Sequence, residues 1–597
     1  MEPTKIKDPE YFHKVVDCQY ACPAHTPVPE YIRLIAQQRY SEAYMINWES
    51  NVFPGILGRT CDRPCEPACR RGRVEEEPVA ICRLKRVAAD NKDDVKKYMP
   101  QGPFKPNGRK IALVGAGPAS LTVARDLAPL GYEIHLYDEQ KGGGGFMRSQ
   151  IPSFRLPETV LEEEVNYILD LGIKQHFNHY VKSLKELLNG DHKYDAVFVG
   201  SGAPKGRDLD VPGRKEAAAN IHIGINWLAN VAFEHTKKIG KNVIVLGGGN
   251  TAMDCCRTSR RLGGENVKVV VRSPFAEMKA SPWEKEDAMH EDIPIIDNHV
   301  PKAVIHENGK LKGMTFDKVK AVWENGKRKL VSTGEPEVFI EADDVLVAIG
   351  QENSFPWIER DLGLDFDKWD MPVVNESTFQ STNKKVFFGG DAAFGPKNVI
   401  TAVAHGHQAA VSIHLHCEGL DVAQRPAPGV TMYSTKMGIH EWSYDNDVAA
   451  DLRYTVPQAD KKVTLKDRKK EVELGFDLPT GFKEAQRCLN CDVQTVFTEN
   501  KCIECDACVD VCPTSCITFT DNGDETDLRS RLKAPASELT QDLYVSDVLP
   551  TKRVMVKDEN VCLHCGLCAE RCPTSAWDMQ KFFYTVTKAN KACQPVA

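Results

Sequence analysis

The cysteines are the strongest constraint on what this chain can become. Of 21, six fall in residues 18–82, three between 83 and 487, and twelve from 488 onward. Disulfide frameworks belong to small exported domains, whereas this chain has 597 residues, 42% of them hydrophobic, and can fill several cores. Length alone predicts about three to five domains. Crowding at both ends therefore points to metal ligation there and to different chemistry in the middle.

Two stretches near the carboxyl end repeat one spacing. "CIECDACVDVCP" contains Cys502, Cys505, Cys508 and Cys512, and "CLHCGLCAERCP" contains Cys562, Cys565, Cys568 and Cys572. Both read Cys-x2-Cys-x2-Cys-x3-Cys-Pro, the spacing in which three thiolates cap one face of a 4Fe-4S cube and the fourth crosses to a second cube. The expected sets are Cys502, Cys505, Cys508 with Cys572, and Cys562, Cys565, Cys568 with Cys512. Separate zinc knuckles are the alternative, and the eight-thiolate spacing does not match them. Roughly residues 518–555 form a polar insertion that could meet a partner. Cys516 and Cys593 are not needed as ligands. Near the amino end, "CDRPCEPACRRGRVEEEPVAIC" offers Cys61, Cys65, Cys69 and Cys82. Pro64 and Pro67 favour a turn that presents three sulfurs to one side, and the gap before Cys82 lets the chain close a fourth corner.

The middle carries nucleotide chemistry. "KIALVGAG" reads as a strand entering a glycine turn, "PASLTVARDLAPLG" as a helix and "EIHLYDEQ" as the next strand. That context gives a Gly-x-Gly motif its meaning. Gly115 and Gly117, with Pro118 and Ala119 opening the helix, allow close backbone approach to a pyrophosphate, and Asp138 can accept from a ribose diol. "GGGGFMRSQIPSFRLP" contributes Gly145 and Arg155 to the same approach. A second copy, "KNVIVLGGGNTAMDCCRTSRRLG", repeats the chemistry with Gly247, Gly249, Asn250, Thr251 and Ala252. Its adjacent Cys255 and Cys256 cannot act as a spaced dithiol and read as packing. In "KVFFGGDAAFGPKNVITAVAHGHQAA", Gly390 and Asp391 could hold a flavin's polyol linker. There the helix from near Asn398 would offer amides around Thr401 and Ala402 to a reduced flavin ring.

"GAGPAS", "IPSFRLP", "GGGNTAMD" and "GGDAAFGPKNVITAV" together resemble the flavoprotein family of glutamate synthase small subunits and the electron-input part of dihydropyrimidine dehydrogenase. The resemblance covers roughly residues 10–415, with a ferredoxin-like portion added at 498–597. It implies FAD across 110–235 and 351–415, and NAD(P) across an inserted 236–350. It also marks departures. Gln150 stands where the family has glycine. Arg272-Ser273-Pro274 stands where the family often has two arginines for a 2'-phosphate, which favours NADH over NADPH. Family members place a pair like "RCLNC" just ahead of a pair like "CQYACP"; here the first pair is Cys488 and Cys491 and the second is Cys18 and Cys22. A cube needs donors close in space, in any chain order. The four are therefore expected to share a 4Fe-4S cluster, against the alternatives of pairs without metal or of zinc at Cys488 and Cys491 with outside ligands.

The expected fold is α/β: two interleaved three-layer dinucleotide-binding domains, a helical iron–sulfur domain at residues 1–97, a linker at 98–109, a second linker at 416–497 carrying the completing cysteine pair, and an α+β two-cluster ferredoxin domain at 498–597. The implied function is hydride exchange between a nicotinamide and FAD, followed by single-electron passage through four 4Fe-4S clusters. The acceptor or donor is a ferredoxin or a redox enzyme complex such as a 2-oxoacid oxidoreductase. Hydride transfer needs cofactor placement and no side-chain acid or base. Alternatives are a glutamate synthase small subunit with an added ferredoxin domain, and a non-enzymatic electron conduit with a silent nicotinamide site. A net charge of -8 argues against nucleic acid as a partner. No apolar run reaches 18 residues and no signal segment is visible, so a cytoplasmic protein without membrane insertion is expected.

Overall fold

Between residues 110 and 417, short apolar strands alternate with helices, a pattern that buries parallel strands on both faces. The computed structural model describes residues 1–597 except 325, 439, 446, 535, 537, 538 and 593–597, so Cys593 lies outside the described residues. The chain divides into two units, one of residues 1–99, 424–456 and 475–597 and the other of residues 100–423 and 457–474.

In the second of these units, one parallel sheet runs in the order Val386–Phe388, Ala196–Val199, Lys110–Val114, Glu133–Tyr137, Lys174–His176. The strand that closes one edge arrives almost two hundred residues after its neighbour, because a whole second fold is inserted between them. That inserted sheet runs Ile221–Ile223, Asp344–Val347, Asn242–Leu246, Asn266–Val270, Ile295–Ile296. Ile221–Ile223 pairs with Asp344–Val347, so the inserted fold begins by residue 221, earlier than the expected 236. The motif at 241–263 marks its first glycine turn and not its first strand. Antiparallel strands between His299 and Glu341 cover one face through Met314, Phe316 and Ile340, against Ile244, Leu246 and Val345. On the other face, Cys255 and Cys256 are fully buried among Val243, Val245 and Val269, in keeping with packing residues.

The other unit begins with short helices between Pro9 and Asp90. Its carboxyl part holds two small antiparallel sheets: Gly429–Ser434, Trp577–Thr585 and Val493–Phe497 form one, and Ile517–Thr520, Val554–Lys557 and Tyr544–Val545 the other. The expected linker 416–497 is thereby corrected. Its first residues still belong to the helix Val399–Cys417, and two of its segments are strands of the ferredoxin-like sheet. Alternation was hard to see there because "GVTMYS" is exposed on much of its length. The insertion at 518–555 likewise has a core of its own, with Leu528, Leu532, Leu543 and Val545 packed on Val554 and Val556.

Candidate functional site

Both glycine turns are built around backbone crowding. Gly115 has φ +91, and a Cβ there would stand 2.6 Å from the Gly200 carbonyl oxygen; Gly247 has φ +134, with the Ala348 oxygen at 2.1 Å from such a Cβ. Each turn leads into a helix, Pro118–Leu127 or Asn250–Arg261, whose N-cap is Gly117 or Gly249. Neither cap offers a side-chain acceptor, so first-turn amides are left for a diphosphate. Gly115→Val is expected to cost about 3 kcal/mol or more through strain and overlap, and the purified variant should lack flavin absorbance at 450 nm or fail to accumulate.

The remaining flavin-side residues converge on the first turn. Asp138 accepts from the Ala116 amide at 2.6 Å and the Gln140 amide at 2.8 Å; burial pushes its carboxyl up, against the pull of those two amides. A carboxylate has lone pairs beyond these two for a diol. A Cβ on Gly145 would lie 2.9 Å from Gly117 Cα, and one on Gly390 would lie 3.3 Å from Ala119 Cβ and 3.6 Å from Ala402 Cβ, so the segments named from sequence do meet. Asp391 Oδ1 accepts from the Lys397 amide at 3.0 Å. Gln150 has φ -128, which any residue adopts, so the missing glycine does not alter the path.

Two expectations need correction. Asn398 caps the helix Val399–Cys417, its Oδ1 accepting from the Thr401 amide at 3.0 Å and the Thr401 hydroxyl at 2.7 Å, while the Ala402 amide donates to the Asn398 carbonyl. Both amides are committed inside the helix, and what faces outward is the positive end of its dipole. Arg155 turns to Asp254, at 2.7 and 2.8 Å, and to Glu284, at 2.5 Å. It therefore ties the first fold to the inserted one in place of presenting a free cation. In the inserted fold, Asn250 Oδ1 accepts from the Ser281 amide at 2.9 Å, Thr251 is half-buried in the first turn of the helix, and Arg272 is exposed just beyond the strand Asn266–Val270.

The described cysteines of the other unit act on one another across long separations in the chain. Burial raises the Cys18 thiol well above its usual range, and the thiols of Cys69, Cys491 and Cys488 raise it further, in that order. Cys488, pushed up to about 12 by burial, and Cys491 both feel Cys69 as well. Cys69 thus acts on Cys18, Cys488 and Cys491, the place the family resemblance gives to Cys22. A second group centres on Lys85, which is 4% exposed. Burial opposes its charge, but the thiols of Cys82, Cys61, Cys65 and Cys22 outweigh that and hold its pKa above the ordinary lysine value. Sulfur is what this buried ammonium faces, a setting that suits a thiolate-bound cluster. The mixing has a simple cause: the helix Asp17–Tyr20 that carries Cys18 ends before Cys22, so the two cysteines do not share a helical face as residues four apart in a continuous helix would.

In the ferredoxin-like part, Cys502 and Cys508 interact with Cys505 and Cys572, while Cys565 interacts with Cys562 and Cys512. Cys502, Cys505, Cys508 and Cys572 line a single pocket walled by Phe497 and Trp577, a cradle that fits a cube. Cys516, left unassigned from sequence, is 1% exposed, with its sulfur 3.5 Å from Cys512. Glu559, Cys562 and His564 bring three donor atoms within 4.8 Å of one another. No spacing motif marks Glu559 or His564, and Lys557 Nζ at 2.8 Å already supplies the cation that Glu559 faces.

What brings residues 488–491 to the amino-terminal helices is a buried charge network. Arg487 and Glu484 pair at 2.9 Å with neither side chain exposed. Glu484 also accepts from the Ala80 and Tyr454 amides, and Arg487 donates to the carbonyls of Glu77, Pro78 and Asp451. Arg33 reaches Asn490 at 3.1 Å and pairs with Asp492.

These arrangements agree with three family models: pyridine nucleotide-disulphide oxidoreductase over residues 109–406, dihydropyrimidine dehydrogenase domain II, 4Fe-4S cluster, over 13–97, and 4Fe-4S dicluster domain over 501–576. The NADP(+)-dependent formate dehydrogenase subunit beta of Moorella thermoacetica is 33% identical over 79% of this chain and 70% of its own length. The chain belongs to the NAD(P)-dependent FAD and iron–sulfur oxidoreductases. Within this family, the NADPH-Fe(3+) oxidoreductase subunit beta of Geobacter sulfurreducens is 30% identical over 82% of this chain and 77% of its own. The glutamate synthase [NADPH] small chain of Azospirillum brasilense is 31% identical over 67% and 86%. This oxidoreductase combines a pyridine-nucleotide oxidoreductase module with iron–sulfur domains. Among the described residues, no helix is long and apolar enough to cross a membrane.

Proposed function

We propose that this chain is the electron-input subunit of a redox complex, or a ferredoxin reductase, exchanging electrons between NADPH and a protein partner through FAD and four 4Fe-4S clusters. The observation that carries the reading is the meeting of Cys18, Cys69, Cys488 and Cys491, drawn from both ends of the chain, in the same unit as the Lys85-centred group and the ferredoxin-like thiols. Four sets of four thiols are a relay, which a flavoenzyme passing hydride to a small molecule does not need. The proposed sets are Cys18, Cys69, Cys488, Cys491; Cys22, Cys61, Cys65, Cys82; Cys502, Cys505, Cys508, Cys572; and Cys512, Cys562, Cys565, Cys568.

FAD held at this site would supply hydride acceptance and its release as single electrons. The chain's own work is placement: amides at the two glycine turns for the diphosphates, Asp138 and Asp391 for the hydroxyls, and a helix dipole beyond Asn398. NADPH is favoured over the earlier preference for NADH. One residue past its strand the first fold has Asp138, whereas the inserted fold has Val271 followed by the exposed Arg272. A carboxylate that accepts from a 2'-hydroxyl is replaced by a guanidinium suited to a 2'-phosphate. The names of the formate dehydrogenase, Fe(3+) oxidoreductase and glutamate synthase relatives agree.

Anaerobic stopped-flow mixing with NADPH and NADH, alongside iron and sulfide counts, tests this. Rapid flavin bleaching by NADPH and about 16 iron per chain are expected. No bleaching by either nicotinamide would leave only a conduit role. Arg272→Ala should lower kcat/KM for NADPH by roughly 10- to 100-fold, the worth of a charged hydrogen bond, and leave that for NADH within about twofold.

A further inference from the structure

Arg70 follows directly on Cys69, yet its guanidinium is turned towards the ferredoxin-like part. It is 2% exposed. Nε donates to Asp17, the neighbour of Cys18, at 2.8 Å, and Nη2 donates to the Val15 carbonyl at 3.2 Å. Nη1 donates to the carbonyls of Glu559 at 2.7 Å and Cys562 at 2.5 Å, and lies 3.4 Å from the His564 ring. His564 completes the link. Its Nδ1 is 3.2 Å from the Cys491 carbonyl oxygen, and its backbone amide donates to the Cys562 sulfur at 3.3 Å. The Tyr444 hydroxyl donates to the His564 carbonyl at 2.8 Å. Arg70 thus carries a buried positive charge that feels the sulfurs of both Cys491 and Cys562.

We propose that Arg70 and His564 join the Cys18, Cys69, Cys488, Cys491 site to the Cys512, Cys562, Cys565, Cys568 site as consecutive stations of the relay, with the Cys502 site beyond them. The inference rests on the cluster reading above. With clusters bound, one electron would leave the first site, oxidised by one unit, and arrive at the second, reduced by one, with no bond formed or broken and no proton moved. His564 supplies a path of one residue and two hydrogen bonds between a ligand of each site, and such a path carries tunnelling better than empty space. Arg70 favours the more negative, reduced state on both sides at once, as a fixed charge in a dry interior does. Both are positioning residues, since neither is a ligand.

The test uses the full-length protein loaded with iron, with Arg70→Gln, Arg70→Lys and His564→Leu compared by iron content, potentiometric EPR and NADPH stopped flow. At wild-type iron, Arg70→Gln should lower the midpoint potentials of both sites together, and Arg70→Lys should restore them. Reduction of the Cys562 site should slow by roughly 10- to 100-fold, the usual cost of losing an outer-shell partner, with flavin bleaching unchanged. A shift at one site alone, or at neither, overturns the proposal. If Arg70→Gln loses iron, His564→Leu decides: slower arrival at the Cys562 site with both sites loaded supports it, and an unchanged rate overturns it. A wild-type protein with about 12 iron would instead defeat the cluster reading on which the bridge depends.

Discussion

Cys69→Ala and Cys488→Ala should each remove about four iron from a chain that otherwise holds about 16, and the double variant should remove no more than either alone. Cys22→Ala combined with Cys488→Ala should remove about eight. Two residues that act on one unit fail to add, whereas residues of separate units add. The pairing of Cys69 with Cys18 and Cys488 predicts this pattern, while pairing Cys22 with Cys488 predicts the reverse. Iron and sulfide assays on the four purified variants separate the two, and EPR of the reduced proteins shows which signal each variant loses. The effect is large because a cube that loses one of four protein thiolates is left with an open corner.

Glu484→Ala is expected to destabilise the iron–sulfur unit by about 3–5 kcal/mol, because it leaves the Arg487 guanidinium buried without its counter-charge. Neither side chain is exposed, and Glu484 also satisfies the Ala80 and Tyr454 amides, so truncation orphans two further donors. Glu484→Gln keeps the shape and part of the hydrogen bonding and should cost less. The measurement is the thermal midpoint followed by visible absorbance of the clusters, with flavin fluorescence as a separate probe. Loss of iron should precede release of flavin in Glu484→Ala, because the pair lies wholly within the unit that carries the thiols. Equal midpoints for Glu484→Ala and the parent would mean that the segment before Cys488 is held by Arg33 and its contacts with Asn490 and Asp492 alone.

Much of this protein is local, and what is local was legible. A glycine turn needs a positive φ or a close backbone approach at one residue, so "GAG" and "GGG" after apolar strands mark both dinucleotide folds without help from anything distant. The eight ferredoxin-like cysteines sit at short fixed separations, and their crossing pattern follows from that spacing. Boundaries were less legible. The strand Ile221–Ile223 is three residues long, and Gly429–Ser434 is largely exposed, so neither has the periodic burial that reveals a strand. Exposed Arg272 and the capping role of Asn398 involve competing uses of one group, which spacing cannot rank.

By itself, then, the sequence determined the two nucleotide folds, the count of thiols and the identity of the chemistry, because each depends on residues within one turn or one strand of each other. Tertiary structure alone decided which thiols act on one another across the chain. Cys18 and Cys22 are four residues apart and face different groups, while Cys18 and Cys488 are 470 residues apart and face the same one. The physical reason is that the helix carrying Cys18 ends before Cys22, which breaks the shared face, and a buried pair such as Arg33 with Asp492 brings distant segments together by charge. Neither effect leaves a mark in the spacing of the cysteines themselves.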